Sequence, residues 1–275
     1  MTYSGTDSAT GDCPPIFLHL FTFCRQNGLL TMDKIPIESP DEESAIRFRD
    51  CFSVRYIQSA AVLCRLGYGI EQEKKGQDAL TEEQVLRHEA FVLNAILSAV
   101  AFLESTINEL HADAVDGAYF YSDEQHEAVL KTIADGWKNE KNFDRAPLIT
   151  RYQKILAIAG TAPFDEDDAA FSNVRQLIEI RNHLMHYKRE WIVIGEEKHP
   201  GKAETTSERF GRILAKKFAI NPFVARNRPF FPDKCLGHGC AEWAIVNSVI
   251  FTDAFFRKLG LPASYEGIRD ELSTR

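Results

Sequence analysis

Apolar residues return every third or fourth position along most of the chain, the period of helices that bury one face. Between Glu82 and His111 the stripe widens. Phe91, Val92, Leu93, Ile96, Leu97, Val100, Phe102 and Leu103 make that helix apolar nearly all round, so it is expected at the centre with one-sided helices packed on it. Start signals agree. Ser39-Pro40-Asp41-Glu42, Thr81-Glu82-Glu83-Gln84, Ser122-Asp123-Glu124-Gln125 and Thr205-Thr206-Ser207-Glu208 each read as a capping box, in which a hydroxyl takes the N3 amide and the Glu or Gln reaches back. They predict helices over 39–66, from 82 to about 111, from 122 to about 136, and from 205 to before Pro222. Further helices are expected over 147–158, 168–188 and 241–259, the last closed by Gly260 and Pro262.

Strand signals are few. Trp191–Ile194 is short and reads as a connector or one edge strand. Residues 220–239 hold three prolines and no helical period, a loop long enough to be functional or mobile. The reading is all-α: a helical bundle over 81–260, an accessory helix in 39–80, an N-terminal extension over 1–38 and a C-terminal tail over 261–275.

A chain of 275 residues can bury a sizeable core without cross-links. Its net charge of −8 excludes coating nucleic acid by bulk charge but leaves room for a local basic patch. Six cysteines without a CxxC pair read as reduced thiols in a cytoplasmic protein. Residues 1–12 have no basic region of the kind that opens a signal peptide. Ala90–Leu103, broken by Asn94 and Ser98, falls short of the about 20 apolar residues a bilayer needs, so no membrane partner is expected.

Familiar cofactor motifs are missing. Gly67-Tyr68-Gly69 is followed by Gln72 where a dinucleotide fingerprint needs glycine, and His88-Glu89 has Val92 where a zinc helix needs a second histidine. Cys235, His238 and Cys240 are zinc-ligand types at a spacing that fits no common structural site. No metal and no cofactor are expected.

Residues 171–191 (FSNVRQLIEIRNHLMHYKREW) carry the functional reading. Phe171, Val174, Leu177, Ile178, Leu184 and Met185 form an apolar stripe, and Arg181, Asn182, His183, His186 and Tyr187 stand at its end. Asn182 and His186, four apart, share one face of a helix. A fixed cation, an amide and an imidazole, whose ordinary pKa of about 6.5 lets it give or take a proton at neutral pH, suit phosphodiester chemistry. The bland alternative is that Arg and His near a helix C-terminus only serve its dipole.

The segment RNHLMHY resembles the HEPN superfamily (higher eukaryotes and prokaryotes nucleotide-binding domains). Its ribonuclease members carry Arg, a polar residue, three further residues and His, which here fall on Arg181, Asn182 and His186. FLESTINEL (102–110) resembles the acidic second helix of such domains, with Glu104 placed to orient Arg181. The resemblance covers about 85–260 as an order of helices and 181–186 as a motif. It implies a metal-independent endoribonuclease with a composite site at a homodimer interface, forming 2′,3′-cyclic phosphate. Arg181 and His186 would be the chemical pair, Asn182 an orienting group, and His183 and Tyr187 supporting neighbours. Stand-alone proteins it resembles are often toxins or defence effectors, and some are paired with an antitoxin-like partner protein. In that paired subgroup a modified tyrosine stands where this chain has Lys188. HEPN domains also occur as non-catalytic binding or dimerisation modules, which is the alternative.

RNA is the expected partner. Lys188 and Arg189 adjoin the motif. Within 209–234, seven cations including Lys216, Lys217, Arg226 and Arg228 face one acid, Asp233, a local charge of +6. Five phenylalanines interleave, either to stack bases or to anchor the segment in the core.

Overall fold

A computed structural model describes residues 30–33, 47–74, 80–116, 124–140, 143–191 and 203–275. The chain divides into two units, Met1–Asp50 and Cys51–Arg275. In the first, β1 (Leu30–Asp33) pairs antiparallel with β2 (Arg47–Asp50), Thr31 opposite Arg49 and Met32 opposite Phe48. This corrects the helix expected from residue 39. Arg47-Phe48-Arg49 alternates with a period of two, the signature of a strand. The box at Ser39 lies outside the described residues.

The second unit is all-α. Its helices are α1 (Phe52–Glu73), α2 (Glu82–Asp116), α3 (Glu124–Asn139), α4 (Leu148–Ile158), α5 (Ala169–Met185), α6 (Thr206–Leu214) and α7 (His238–Leu259). α2 is central, with α1, α3, α4, α5 and α7 packed on it. Its Val92, Ala95, Ile96, Ala99, Val100, Phe102, Leu103 and Ile107 are fully buried. Small residues set the close approaches. A Cβ on Gly67 of α1 would lie 3.4 Å from Val92, and Ser248 of α7 donates to the Ala99 carbonyl at 3.4 Å. α1 therefore packs within the bundle, one of the two places the sequence left open for it.

By length and hydropathy α2 is the one described helix that meets the measure of a bilayer span. Half of its most apolar window is buried against its neighbours. Asn94 does not break it, because its amide turns back to the Ala90 carbonyl at 2.8 Å.

The capping boxes at Thr81 and Thr205 form as expected, and Asp168 caps α5 through Ala170 and Phe171. The box at Ser122 and residues 192–194 lie outside the described residues. α6 ends at Leu214, eight residues short of Pro222, and α7 starts at His238, not at Ala241. The long loop packs tightly there: a Cβ on Gly239 would lie 2.3 Å from the Ala219 carbonyl oxygen. The expected C-terminal tail is also corrected. Tyr265 and Ile268 are buried, the Tyr265 hydroxyl donates to Asp253 at 2.6 Å, and a 3-10 turn at Glu266–Leu272 lies on α1.

Cys51 cannot cap α1, so Glu109 of α2 does: its carboxylate accepts from the Ser53 amide at 2.7 Å and from the Ser53 hydroxyl. Burial raises the Glu109 carboxyl above its ordinary 4.5, against the Ser53 hydrogen bonds that lower it. A raised native pKa means that the folded state holds the proton more tightly than the unfolded chain. That contribution is complete below 4.5 and is lost as pH rises through the native value. Glu109→Ala, which leaves the Ser53 amide uncapped, is expected to lower stability by about 1–3 kcal/mol. Glu109→Gln keeps an acceptor and should flatten the decline of unfolding free energy above pH 4.5, as read by urea titration across pH.

Candidate functional site

α5 delivers the motif and then stops. Phe171, Val174 and Leu177 of the expected stripe bury its inner face together with Ile180, which the stripe did not include, while Ile178 and Leu184 are only partly buried. Met185 departs from it and is 59% exposed. The helix ends there, three residues short of Lys188. His186 has left helical geometry (φ −117°, ψ 42°) while its amide still donates to the Asn182 carbonyl at 2.9 Å. The shared face of Asn182 and His186 is therefore kept by the last helical hydrogen bond and not by a further turn.

Beyond His186 the chain runs back toward α6. Glu190 accepts from the Thr206 amide at 3.0 Å and from the Thr206 hydroxyl, fastening this segment to the first turn of α6. Between α5, the returning segment and α6 lies a cavity of about 270 Å³. Four residues of the motif line it: Asn182, His183, His186 and Tyr187. Lys188 and Glu190 follow on the returning segment, with Thr206 and Phe231 on the opposite wall. Five of the expected site residues, Asn182, His183, His186, Tyr187 and Lys188, therefore share one concavity, with His186 and Asn182 exposed to solvent.

Arg181 does not line it. Its Nη2 lies 3.6 Å from Glu104 Oε2, the partner expected from the sequence. Glu104 is shared. Its other oxygen is 3.4 Å from Arg151 Nη2, and Arg151 Nη1 donates to Asn108 at 2.8 Å. Glu104 and Asn108 stand four apart on α2, so one face holds both arginines. Neither guanidinium is fully satisfied: the Nε atoms of Arg151 and Arg181 are buried without a hydrogen-bond partner.

His183 is the more constrained histidine. Arg209 donates to its Nε2 at 3.3 Å, and because arginine can only donate, the ring proton sits on Nδ1. Its ring meets Phe210 and Phe231 edge-on, and Glu179 holds Arg209 at 2.8 Å.

The basic patch is thinner than its sequence. Arg228 is paired with Asp233 at 2.6 Å, and Lys217 donates to Asn173, with burial lowering its pKa. Lys188, Arg189, Lys216 and Arg226 are exposed, and among the described residues no partner holds their side-chain charges. Phe210 and Phe231 are core anchors and not stacking platforms on an open surface. Cys235 and Cys240 are both buried with their sulfurs 3.8 Å apart, whereas the His238 ring turns to the Thr274 carbonyl at 3.1 Å, so the three do not converge.

Sequence reasoning missed Arg151, Asn108, Glu190 and Thr206. The capping box at Thr205 marked the start of α6 but gave no sign that a distant carboxylate would dock on it. No protein-family model, curated protein or solved structure matches the chain.

Glu104→Ala leaves Arg151, only 7% exposed, with Asn108 alone, and should cost about 1–3 kcal/mol in urea unfolding. Because Glu104 is itself 47% exposed, a double-mutant cycle with Arg181→Ala is expected to give a coupling below about 1 kcal/mol.

Proposed function

We propose that the protein is a HEPN-type endoribonuclease that acts on RNA without a metal, through a site completed by a second copy of the chain. The observation that carries this reading is the cavity at the end of α5, where His186, Asn182 and Lys188 meet.

The chemistry needs only what RNA and these residues supply. The 2′-hydroxyl attacks the adjacent phosphorus while an imidazole takes its proton. The bond from phosphorus to the 5′-oxygen breaks, and a second imidazole gives that oxygen a proton. The products are a 2′,3′-cyclic phosphate and a free 5′-hydroxyl, and no water is consumed. The two proton transfers fall to the two copies of His186 in a twofold dimer, because His183 is committed to Arg209. Lys188 in the cavity binds the phosphate. Arg181, one residue from Asn182 and short of hydrogen bonds, adds charge stabilisation as the phosphorane gains negative charge. Arg189, Lys216 and Arg226 serve the strand as it leaves the site. In favour of the dimer, Met185, Tyr187 and Trp191 expose apolar surface on the same segment, Trp191 at 92%.

A second reading is a helical dimerisation module without chemistry. It is favoured by Arg181 facing Glu104 on α2 and not the cavity.

Purified protein should cleave single-stranded RNA in EDTA and leave DNA of the same sequence intact. His186→Ala is expected to lose at least about 100-fold in rate with an unchanged melting temperature. Equal cleavage by both proteins, or none by either, would sink the nuclease reading. Trp191→Glu should shift the oligomer toward monomer in light scattering and lower activity with it. Retained dimer with retained activity would remove that residue from the interface.

A further inference from the structure

We infer that His183 is a phosphate-holding donor of the cavity, a neutral ring that Arg209 fixes so that its Nδ1–H hydrogen-bonds a nonbridging phosphate oxygen. The cleavage this would assist rests on the ribonuclease reading, whereas anion binding by His183 does not.

His183 and His186 stand three residues apart and line the same cavity, but their surroundings differ. His186 is exposed, and among the described residues no side chain holds its ring. His183 is half-buried and gripped from several sides. Phe210 and Phe231 meet its ring edge-on, with centroids 5.2 and 6.2 Å away. Arg209 Nη2 donates to its Nε2 at 3.3 Å, and Arg209 Nη1 donates to Glu179 at 2.8 Å. Glu179 lies four residues before His183 on α5, so the two share a face. The helix that carries the ring therefore also anchors the guanidinium that orients it.

A neutral imidazole that accepts at Nε2 has one donor left, Nδ1–H. That atom meets no acceptor among the described residues, yet it is not sealed in the interior, so it opens to the cavity that His183 lines. The groups beside it donate as well: the Asn182 amide, the Tyr187 hydroxyl and the Lys188 ammonium. The carboxylate of the cavity, Glu190, is engaged through both oxygens by the Thr206 amide and hydroxyl. Donors without free acceptors select an anion, and a tetrahedral oxyanion presents several acceptors on one centre. A donor held in one direction needs no reorganisation as negative charge grows on those oxygens. The two histidines thus divide the work. His186 moves protons, and His183 keeps its own.

Two substitutions separate the two ring nitrogens. The amide nitrogen of asparagine falls near the place of Nδ1, and that of glutamine near the place of Nε2. A purely structural role, contact with Arg209, survives His183→Gln and is lost in His183→Asn. Anion binding requires the reverse. With inorganic phosphate titrated into the full chain by calorimetry, His183→Asn is expected to keep most of the affinity despite a lower melting temperature. His183→Gln should keep the melting temperature and lose about 10- to 100-fold in affinity, the loss of one hydrogen bond to a charged group. In 15N spectra the unsubstituted protein should carry the His183 proton on Nδ1, and Arg209→Met should admit the other tautomer. No phosphate binding by the unsubstituted chain, equal affinities in both variants, the opposite order, or a proton on Nε2 would overturn the assignment. Cleavage assays keep this inference apart from the activity. RNA cleavage and phosphate binding that both ignore His183→Gln remove the donor and leave the nuclease. Phosphate binding in the expected order without cleavage of any RNA keeps the donor and removes the nuclease.

Discussion

Each helix brings into the bundle a first turn of amides that its own hydrogen bonds cannot satisfy. α1 and α7 begin after Cys51 and Gly237, neither of which has a capping side chain. Their amides are taken by carboxylates from elsewhere. Glu109 of α2 accepts from Ser53, and Glu71 of α1 accepts from His238 at 2.7 Å and also from the His88 ring at 2.8 Å. α6 has its own box and still receives Glu190. These long-range caps tie the start of one helix to the body of another, so they fix register as well as satisfying donors. The apolar face of α2 would tolerate some sliding of its neighbours; Glu109 on Ser53 and Glu71 on His238 would not.

The same logic shows what one dimension can carry. Boxes at Thr81 and Thr205 were legible because donor and acceptor are within three residues of each other. The central place of α2 was legible because apolar residues on all sides have nowhere else to go. The start of α1 was not. Ser39-Pro40-Asp41-Glu42 has the composition of a box, but the period of two in Arg47-Phe48-Arg49 stands between it and the apolar helical stripe. The buried C-terminal residues escaped notice because a 3-10 turn with one tyrosine and one isoleucine has no period to read.

At the site the sequence named most of the lining and misjudged its arrangement. Glu104 and Arg181, paired in the sequence only through a family resemblance, lie 3.6 Å apart. The second arginine on that acid was hidden. Arg151 lies on a face of α4 that also buries Leu148, Tyr152 and Ile155, and it goes inward only because Glu104 and Asn108 wait on α2. Four of the six cations assigned to RNA remain open, and two are consumed by Asp233 and Asn173. Charge counted along a chain overstates charge offered to a ligand, because near neighbours in space neutralise it first.

The end of α5 joins these strands of the argument. A helix that continued to Lys188 would have carried His186, Tyr187 and Lys188 around its cylinder at 100° steps, dispersing them. Ending at Met185 lets the chain double back, and the backtracking segment is what closes one wall of the cavity. Glu190 holds it there by spending its carboxylate on Thr206, so the residue that shapes the concavity also sets the electrostatics of its rim. Position and polarity at this edge are therefore not independent. A substitution at 190 that keeps an acceptor preserves the wall, whereas one that removes the acceptor frees the segment that carries Lys188 and leaves His186 held only by its amide bond to Asn182.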